Sequence, residues 1–248
     1  MGKIRFSIIT VCRNSGQTIE RTIKSVINQS HANYEYVVVD GQSTDNTTAI
    51  IDQYRENIAR FISEKDEGLY DAMNKGIALA RGEFVVFLNA DDYFFDGKVL
   101  ERIEEVIRSA PPAIDVYYGH VLVFDDASGK GDVSRTAIVN RFSLYRGPIP
   151  HQATIYDKDA FRKNGLFDVS YSVVADYEWA VRALIRNHLR FHYFDGLVAV
   201  WNRGGLSTRD QMGQIIKAEK KRVIETHYPL FERFFWRLRL RYRKIFGI

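Results

Sequence analysis

The run Phe84-Val-Val-Phe-Leu-Asn-Ala-Asp-Asp92 carries an apolar stretch into an amide and two adjacent carboxylates. Hard oxygen side chains of this kind suit Mg²⁺ or Mn²⁺, which take one or two carboxylates and leave positions for substrate phosphates. A second apolar run, Tyr36-Val-Val-Val39, also ends in an acid, Asp40. Acids at the carboxyl ends of parallel strands lie where open α/β sheets bind ligands. The bland reading of each is a polar turn that ends a strand. No Gly-x-Gly-x-x-Gly follows the first strand, and no Gly-x-x-x-x-Gly-Lys-Ser/Thr loop occurs. A nicotinamide site is therefore disfavoured, and phosphates would be held by metal and side chains.

The elements needed to position these acids read as alternating strands and helices. Residues 6–11 are expected as the first strand, followed by an i, i+4, i+7, i+8 stripe at Ile19, Ile23, Val26 and Ile27. Residues 41–47 supply a turn and caps for a helical stripe at Ile50, Ile51 and Tyr54. Residues 60–63 read as a short strand, and 70–80 as the helix leading into the Phe84 run. This alternation over the first 110 residues argues for βαβ units and a parallel sheet. After Pro111-Pro112, residues 115–124 and 136–142 read as strands around a turn at 125–131. Residues 175–187 read as a helix, and 190–194 and 197–201 as short strands joined at Asp195-Gly196.

The chain has 248 residues, 46% of them hydrophobic and 27% charged, enough for a full core in an ordinary soluble protein. Its one cysteine, Cys12, offers no disulfide framework and points to a reducing compartment. No signal-peptide pattern, myristoylation site or membrane-spanning run is visible, so the expected location is cytoplasmic. Residues 217–248 hold ten Lys or Arg against three Glu, a net of +7, which leaves −3 for the rest. There Phe231, Phe235, Leu238, Tyr242 and Ile245 step by four and three, opposite Arg233, Arg237, Arg241 and Lys244. Such a helix either lies on an anionic membrane surface or docks its apolar stripe on the body. Nucleic acid is not the expected partner, since the aromatics and arginines are not interleaved.

Several stretches together resemble the inverting family 2 glycosyltransferases. They are Ser7-Ile-Ile-Thr-Val-Cys-Arg-Asn14, Val39-Asp-Gly-Gln-Ser-Thr-Asp-Asn-Thr47, Asp66-Glu-Gly-Leu-Tyr-Asp-Ala-Met-Asn-Lys-Gly76, Leu88-Asn-Ala-Asp-Asp92, Ala175-Asp-Tyr-Glu-Trp179 and Gly204-Gly-Leu-Ser207. They span about residues 6–207 in the family's order, and the set looks most like the bacterial surface-polysaccharide branch, including colanic-acid-type transferases. The resemblance implies an α/β GT-A fold, with a Rossmann-like, mostly parallel sheet flanked by helices. Residues 1–215 would form that domain, 1–110 its nucleotide half and 111–215 its acceptor side, with 216–248 a helical tail.

By the same resemblance Asp40 would accept from the uracil ring, with Thr10, Arg13 and Asn14 at the lip of the nucleotide pocket. Asp71, Asn89 and Asp91 would belong to the nucleotide side, Asp92 would bind the metal, and Asp176 would be the catalytic base. Glu178 is a rival acid. His151 would lie near the acceptor or be a buried structural histidine, and Trp201, Gly204 and Gly205 would form a lid or a plain turn. Two positions depart from the pattern. Asn89 replaces an Asp, and Met73 replaces an Arg whose diphosphate contact would fall to Lys65, Lys75 or Arg13.

The expectation is a Mn²⁺- or Mg²⁺-dependent inverting transferase. It would move sugar from a nucleotide donor, UDP-linked by expectation, to a lipid-linked saccharide on the cytoplasmic face of the inner membrane. A sugar-phosphate nucleotidyltransferase is the alternative, but it would want a Gly-rich basic loop after the first strand. A non-catalytic binding subunit is another, against which the intact Asp40, Asp92 and Asp176 argue.

Overall fold

Strand β1 (Phe6–Cys12) is buried along its whole length, because its two faces both meet apolar layers. Phe6, Ile8 and Cys12 point into one core, and Ile9 and Val11 into the other. The computed structural model describes residues 4–126, 128–136, 138–202 and 212–246, with side chains up to residue 239. The chain continues through α1 (Ile19–Ile27), β2 (Tyr34–Asp40), α2 (Thr47–Asp52), β3 (Arg60–Ser63), α3 (Leu69–Leu79) and β4 (Phe84–Phe87). These first four strands are parallel and lie in the order β3-β2-β1-β4. Ile19, Ile23 and Val26 of α1 are fully buried on one face of the sheet, each contributing about 1.5–3 kcal/mol of burial. On the other face α3 packs very close. A Cβ on Gly76 would meet Ile9 Cγ2 at 2.4 Å, so the last glycine of the Asp66–Gly76 stretch permits helix–sheet contact.

Beyond β4 the sheet becomes mixed. The chain runs through β5 (Tyr93–Phe94), α4 (Val99–Ser109), β6 (Val116–Asp125), β7 (Lys130–Ser134), α5 (Arg141–Arg146), β8 (Thr154–Asp157), α6 (Lys158–Asn164), α7 (Ala175–Ile185) and β9 (Phe191–Asn202). The order continues β4-β8-β6-β9-β5, with β8 antiparallel to both neighbours and β7 paired to β6. Strands from both halves of the chain therefore share one sheet.

Two expectations about elements are corrected. The partner of β6 is 130–134, not 136–142; it is exposed and polar, and pairing there needs only one turn around Gly129 at φ +64°. Thr136 instead bonds to Gly119 and His120, Val139 bonds to Tyr118, and Asn140 caps α5. Residues 190–194 and 197–201 belong to one continuous strand. Asp195-Gly196 is an irregularity against Gly119, where a Cβ would lie 2.5 Å from the Gly196 carbonyl oxygen.

Two helices follow, α8 (Met212–His227) and α9 (Leu230–Phe246). Of the stripe expected from the sequence, Phe231, Phe235 and Leu238 are not docked, and the side chains of Tyr242 and Ile245 lie outside the described residues. The contact face of α9 carries Glu232, bonded to Arg141, and Trp236, whose ring lies 4.8 Å from that of Phe142. Leu230, Phe231, Phe234, Phe235 and Leu238 are exposed, at 76, 72, 66, 55 and 47%. Among the described residues, no helix is long and apolar enough to cross a membrane.

Candidate active site

β4 ends at Phe87, but the chain still follows the sheet edge: Leu88 and Ala90 donate to the Ile9 and Val11 carbonyls at 2.9 and 3.2 Å. A turn closed by the Asp92 N–H on the Asn89 carbonyl (2.9 Å) then delivers both acids. Asp92 is 1% exposed. Its Oδ2 accepts from Gln152 Nε2 at 3.0 Å, whereas its buried Oδ1 has no hydrogen-bond partner. Burial and the Asp91 charge push the Asp92 carboxyl up to about 8, against the pull of His151 and Gln152.

Asp176 comes to the same place from the first turn of α7. Its Oδ1 accepts from the Tyr70 hydroxyl and the Tyr177 N–H, both at 2.8 Å, and its Oδ2 lies 3.2 Å from His151 Nδ1. Burial works against the carboxylate, but the His151 hydrogen bond and charge, Tyr70 and the Tyr177 N–H outweigh it and hold the pKa below 3.8. His151 Nε2 faces Asn89 Nδ2 at 3.0 Å. Burial disfavours the imidazolium, yet Asp176, Asp92 and Asp91 raise its pKa above 6.5. The dipeptide His151-Gln152 thus spans the two carboxylates, one side chain to each.

On the nucleotide side, Asp40 ends β2 and is fully buried. Its oxygens accept from Ser43 N (3.0 Å), Ser63 Oγ (2.6 Å) and the Ser43 hydroxyl. Arg13 and Asn14 are exposed beyond β1, and the Asn14 amide oxygen accepts from Thr44 N at 2.8 Å, tying the β1 and β2 loops together. Thr10 lies inside β1, buried, accepting from the Tyr36 hydroxyl at 3.0 Å, so it belongs to the sheet and not to a rim. Asp71 pairs with Lys75 at 3.2 Å on α3 and accepts from the Glu67 N–H. Lys75 also binds Glu64 at 3.0 Å and the Lys65 carbonyl at 2.8 Å, while Met73 is buried core.

Glu178 does not join the site. Two residues past Asp176 a helix side chain points elsewhere, and Glu178 is buried against Arg182 (2.9 Å) and His227 (2.9 Å). Trp201 is half-buried in β9, in register with Val123 of β6. Gly204 and Gly205 lie outside the described residues. Sequence reasoning gives no role to Tyr70, although it stands inside the Asp66–Gly76 stretch, nor to Gln152, which follows His151. Their signal was a polar tip in a mostly apolar setting, which only the facing element turns into a contact.

The donor set at β4 fits a hard divalent cation. Asp92 Oδ1 is a buried acceptor without a donor, next to a second carboxylate. Among the described residues no cluster of three or more His, Cys, Asp or Glu is assembled for a metal. One or two carboxylates, with water and phosphate completing the shell, is the mode Mg²⁺ and Mn²⁺ adopt on diphosphates.

Over residues 7–165 the chain matches the family described as Glycosyl transferase family 2. A PGL/p-HBAD biosynthesis glycosyltransferase of Mycobacterium tuberculosis is 32% identical over 209 residues, 82% of this chain and 78% of the relative. The crystal structure of S. aureus TarS 1-349 in complex with UDP superposes with a TM-score of 0.62 at 22% identity, covering 80% of this chain. This chain spans 60% of that TarS chain. The mannosyltransferase PcManGT of Pyrobaculum calidifontis, solved with GDP-Man and Mn²⁺, gives a TM-score of 0.62 at 16% identity over 82% of this chain and 58% of its own.

Proposed function

The chain belongs to glycosyl transferase family 2, has the GT-A fold and is a glycosyltransferase; from that premise we propose that it transfers sugar from a UDP donor to a lipid-linked saccharide, with inversion, in surface-polysaccharide synthesis. The observation that carries this reading is the His151-Gln152 bridge. It joins Asp92, a buried carboxyl with one oxygen left without a partner, to the ionised Asp176 within one arrangement. UDP as the nucleotide is supported by the TarS complex, and a divalent cation by the Mn²⁺ of the archaeal mannosyltransferase.

Asp176 takes the proton of the acceptor hydroxyl as that oxygen attacks the anomeric carbon. A carboxylate held this low is a weak base toward a resting alcohol. The attacking oxygen grows acidic as its new bond forms, so the proton moves late. Attack from the face opposite UDP inverts the centre. Asp92, with Asp91, would hold Mg²⁺ or Mn²⁺, which supplies positive charge against the departing diphosphate. Asp40 would accept from the uracil imide. Its oxygens already take four hydrogen bonds, the weakest from the Cys12 thiol at 3.6 Å, and the imide would take the place of that donor.

The exposed apolar face of α9 would rest on an anionic bilayer. Arg237 is exposed on the same helix, and a groove of about 430 Å³ between α8 and α9 is lined by Lys217, Lys220 and Lys221. This would bring the site to a lipid-linked acceptor at the cytoplasmic face.

The test is UDP release from a panel of UDP-sugars, with a bacterial membrane lipid extract as acceptor source, with and without Mn²⁺ or Mg²⁺. Asp92→Asn is expected to lose the metal-dependent rate while staying folded. Asp176→Asn is expected to lose about 10²–10⁴-fold in transfer with UDP affinity by calorimetry unchanged. Wild-type transfer by Asp176→Asn, or full activity of Asp92→Asn in strong chelator, would overturn the assignment.

A further inference from the structure

The N-cap residue of α7 is Val174, whose side chain has no oxygen to receive the N–H groups that open a helix. A carboxylate from another helix holds the amides that lead up to this start. Glu219, on α8, accepts from Ser172 N (2.7 Å), Val173 N (3.0 Å) and Val174 N (3.2 Å). Asp176 stands two residues further on. Val173 is held on both sides: Glu219 takes its N–H, and the Tyr70 hydroxyl lies 2.8 Å from both its carbonyl and Asp176 Oδ1, one proton shared between two acceptors. A negative group at this end of α7 also complements the helix dipole.

The rest of the same α8 face holds the helix in this register. Arg222 donates to the Ser170 carbonyl and hydroxyl (3.3 and 2.9 Å) and lies 4.2 Å over the Tyr171 ring. Val223 is fully buried, and His227 reaches Glu178 on α7. Spacings of three and four put these side chains on one side of the helix.

We propose that Glu219 is a positioning residue for Asp176: from α8 it caps the 172–174 amides that lead into α7 and so fixes where the catalytic carboxylate stands. The proposal rests on Asp176 being the base. Removing the cap leaves the fold of the sheet and the donor acids alone, but frees the segment that aims the base.

The experiment compares Glu219→Ala and Glu219→Gln with Arg222→Ala, which loosens the same segment at Ser170 while leaving the three amides capped. Glu219→Ala is expected to lower the kcat of transfer about tenfold or more, with donor KM and UDP affinity unchanged. Hydrogen exchange at amides 172–174 is expected to speed up about tenfold or more, with β1 amides still protected. Glu219→Gln keeps one acceptor oxygen and falls between. Arg222→Ala keeps kcat within about twofold, the scatter of a merely structural change. In an Asp176→Asn background, Glu219→Ala is expected to cost nothing further.

Equal losses in Arg222→Ala and Glu219→Ala, or UDP affinity falling in step with kcat, would show general loosening and overturn the proposal. Unchanged exchange at 172–174 would sink the cap itself, whatever the role of Asp176. Wild-type transfer by Asp176→Asn would instead remove the base, and the catalytic meaning of Glu219 with it.

Discussion

Asp176 is ionised in a buried place because His151, Tyr70 and the Tyr177 N–H outweigh burial, and the two side chains can be removed singly. Tyr70→Phe deletes the hydroxyl that serves both Asp176 and the Val173 carbonyl. A lost donor disfavours the charged form, so the Asp176 pKa rises and the acid limb of the pH–kcat/KM profile moves to higher pH. The folded state should lose about 1 kcal/mol, read by denaturant titration, while UDP affinity stays the same. An acid limb that does not move would show that another group sets it. Asp40, Asp91, Asp92 and Asp176 could be picked out from the sequence because each sits at a strand end or helix start within a longer stretch. Tyr70 could not, since its partner lies 106 residues away. Nor could Glu219, an acid in a basic helix whose meaning comes from the uncapped Val174 beside it.

At the scale of elements, α7 is fastened to α8 by a buried Glu178 between Arg182 and His227. Burial raises the Glu178 pKa, but the His227 and Arg182 hydrogen bonds outweigh it and bring it below 4.5. A depressed carboxyl contributes stability that is present above its unfolded value and is lost as pH falls through the folded one. Stability should therefore drop below about pH 4.5, and Glu178→Gln should flatten that part of the curve while costing about 1–3 kcal/mol at neutral pH. Chemical denaturation from pH 3 to 7 measures both; an unchanged slope would remove Glu178 as its source. The early strands were legible because burial on both faces writes a continuous apolar run. The exposed polar β7 leaves no such trace, and Asp195-Gly196 has the composition of a turn although β6 and β9 carry the strand through it.

For the whole molecule, the exposed phenylalanines set a test of location. Replacing Phe231, Phe234 and Phe235 together by Ser should leave Tm within a few degrees, since these side chains are exposed at 72, 66 and 55%. Cosedimentation with vesicles rich in anionic lipid should fall, and wild-type binding should weaken with salt. Undiminished binding of the variant would transfer the role to the lysines of α8. The order of the strands also has a consequence for a chain leaving the ribosome. β1 to β4 pair with one another within residues 6–87, and only the outer side of β4 waits for β8. β5, directly after the donor acids, pairs with residues 199–200, and the base arrives only with α7. A nascent chain thus completes its nucleotide-side strands before the residue that consumes the donor has been synthesised. Because Glu219 comes later still, its proposed role would delay full transfer activity until translation has passed α8.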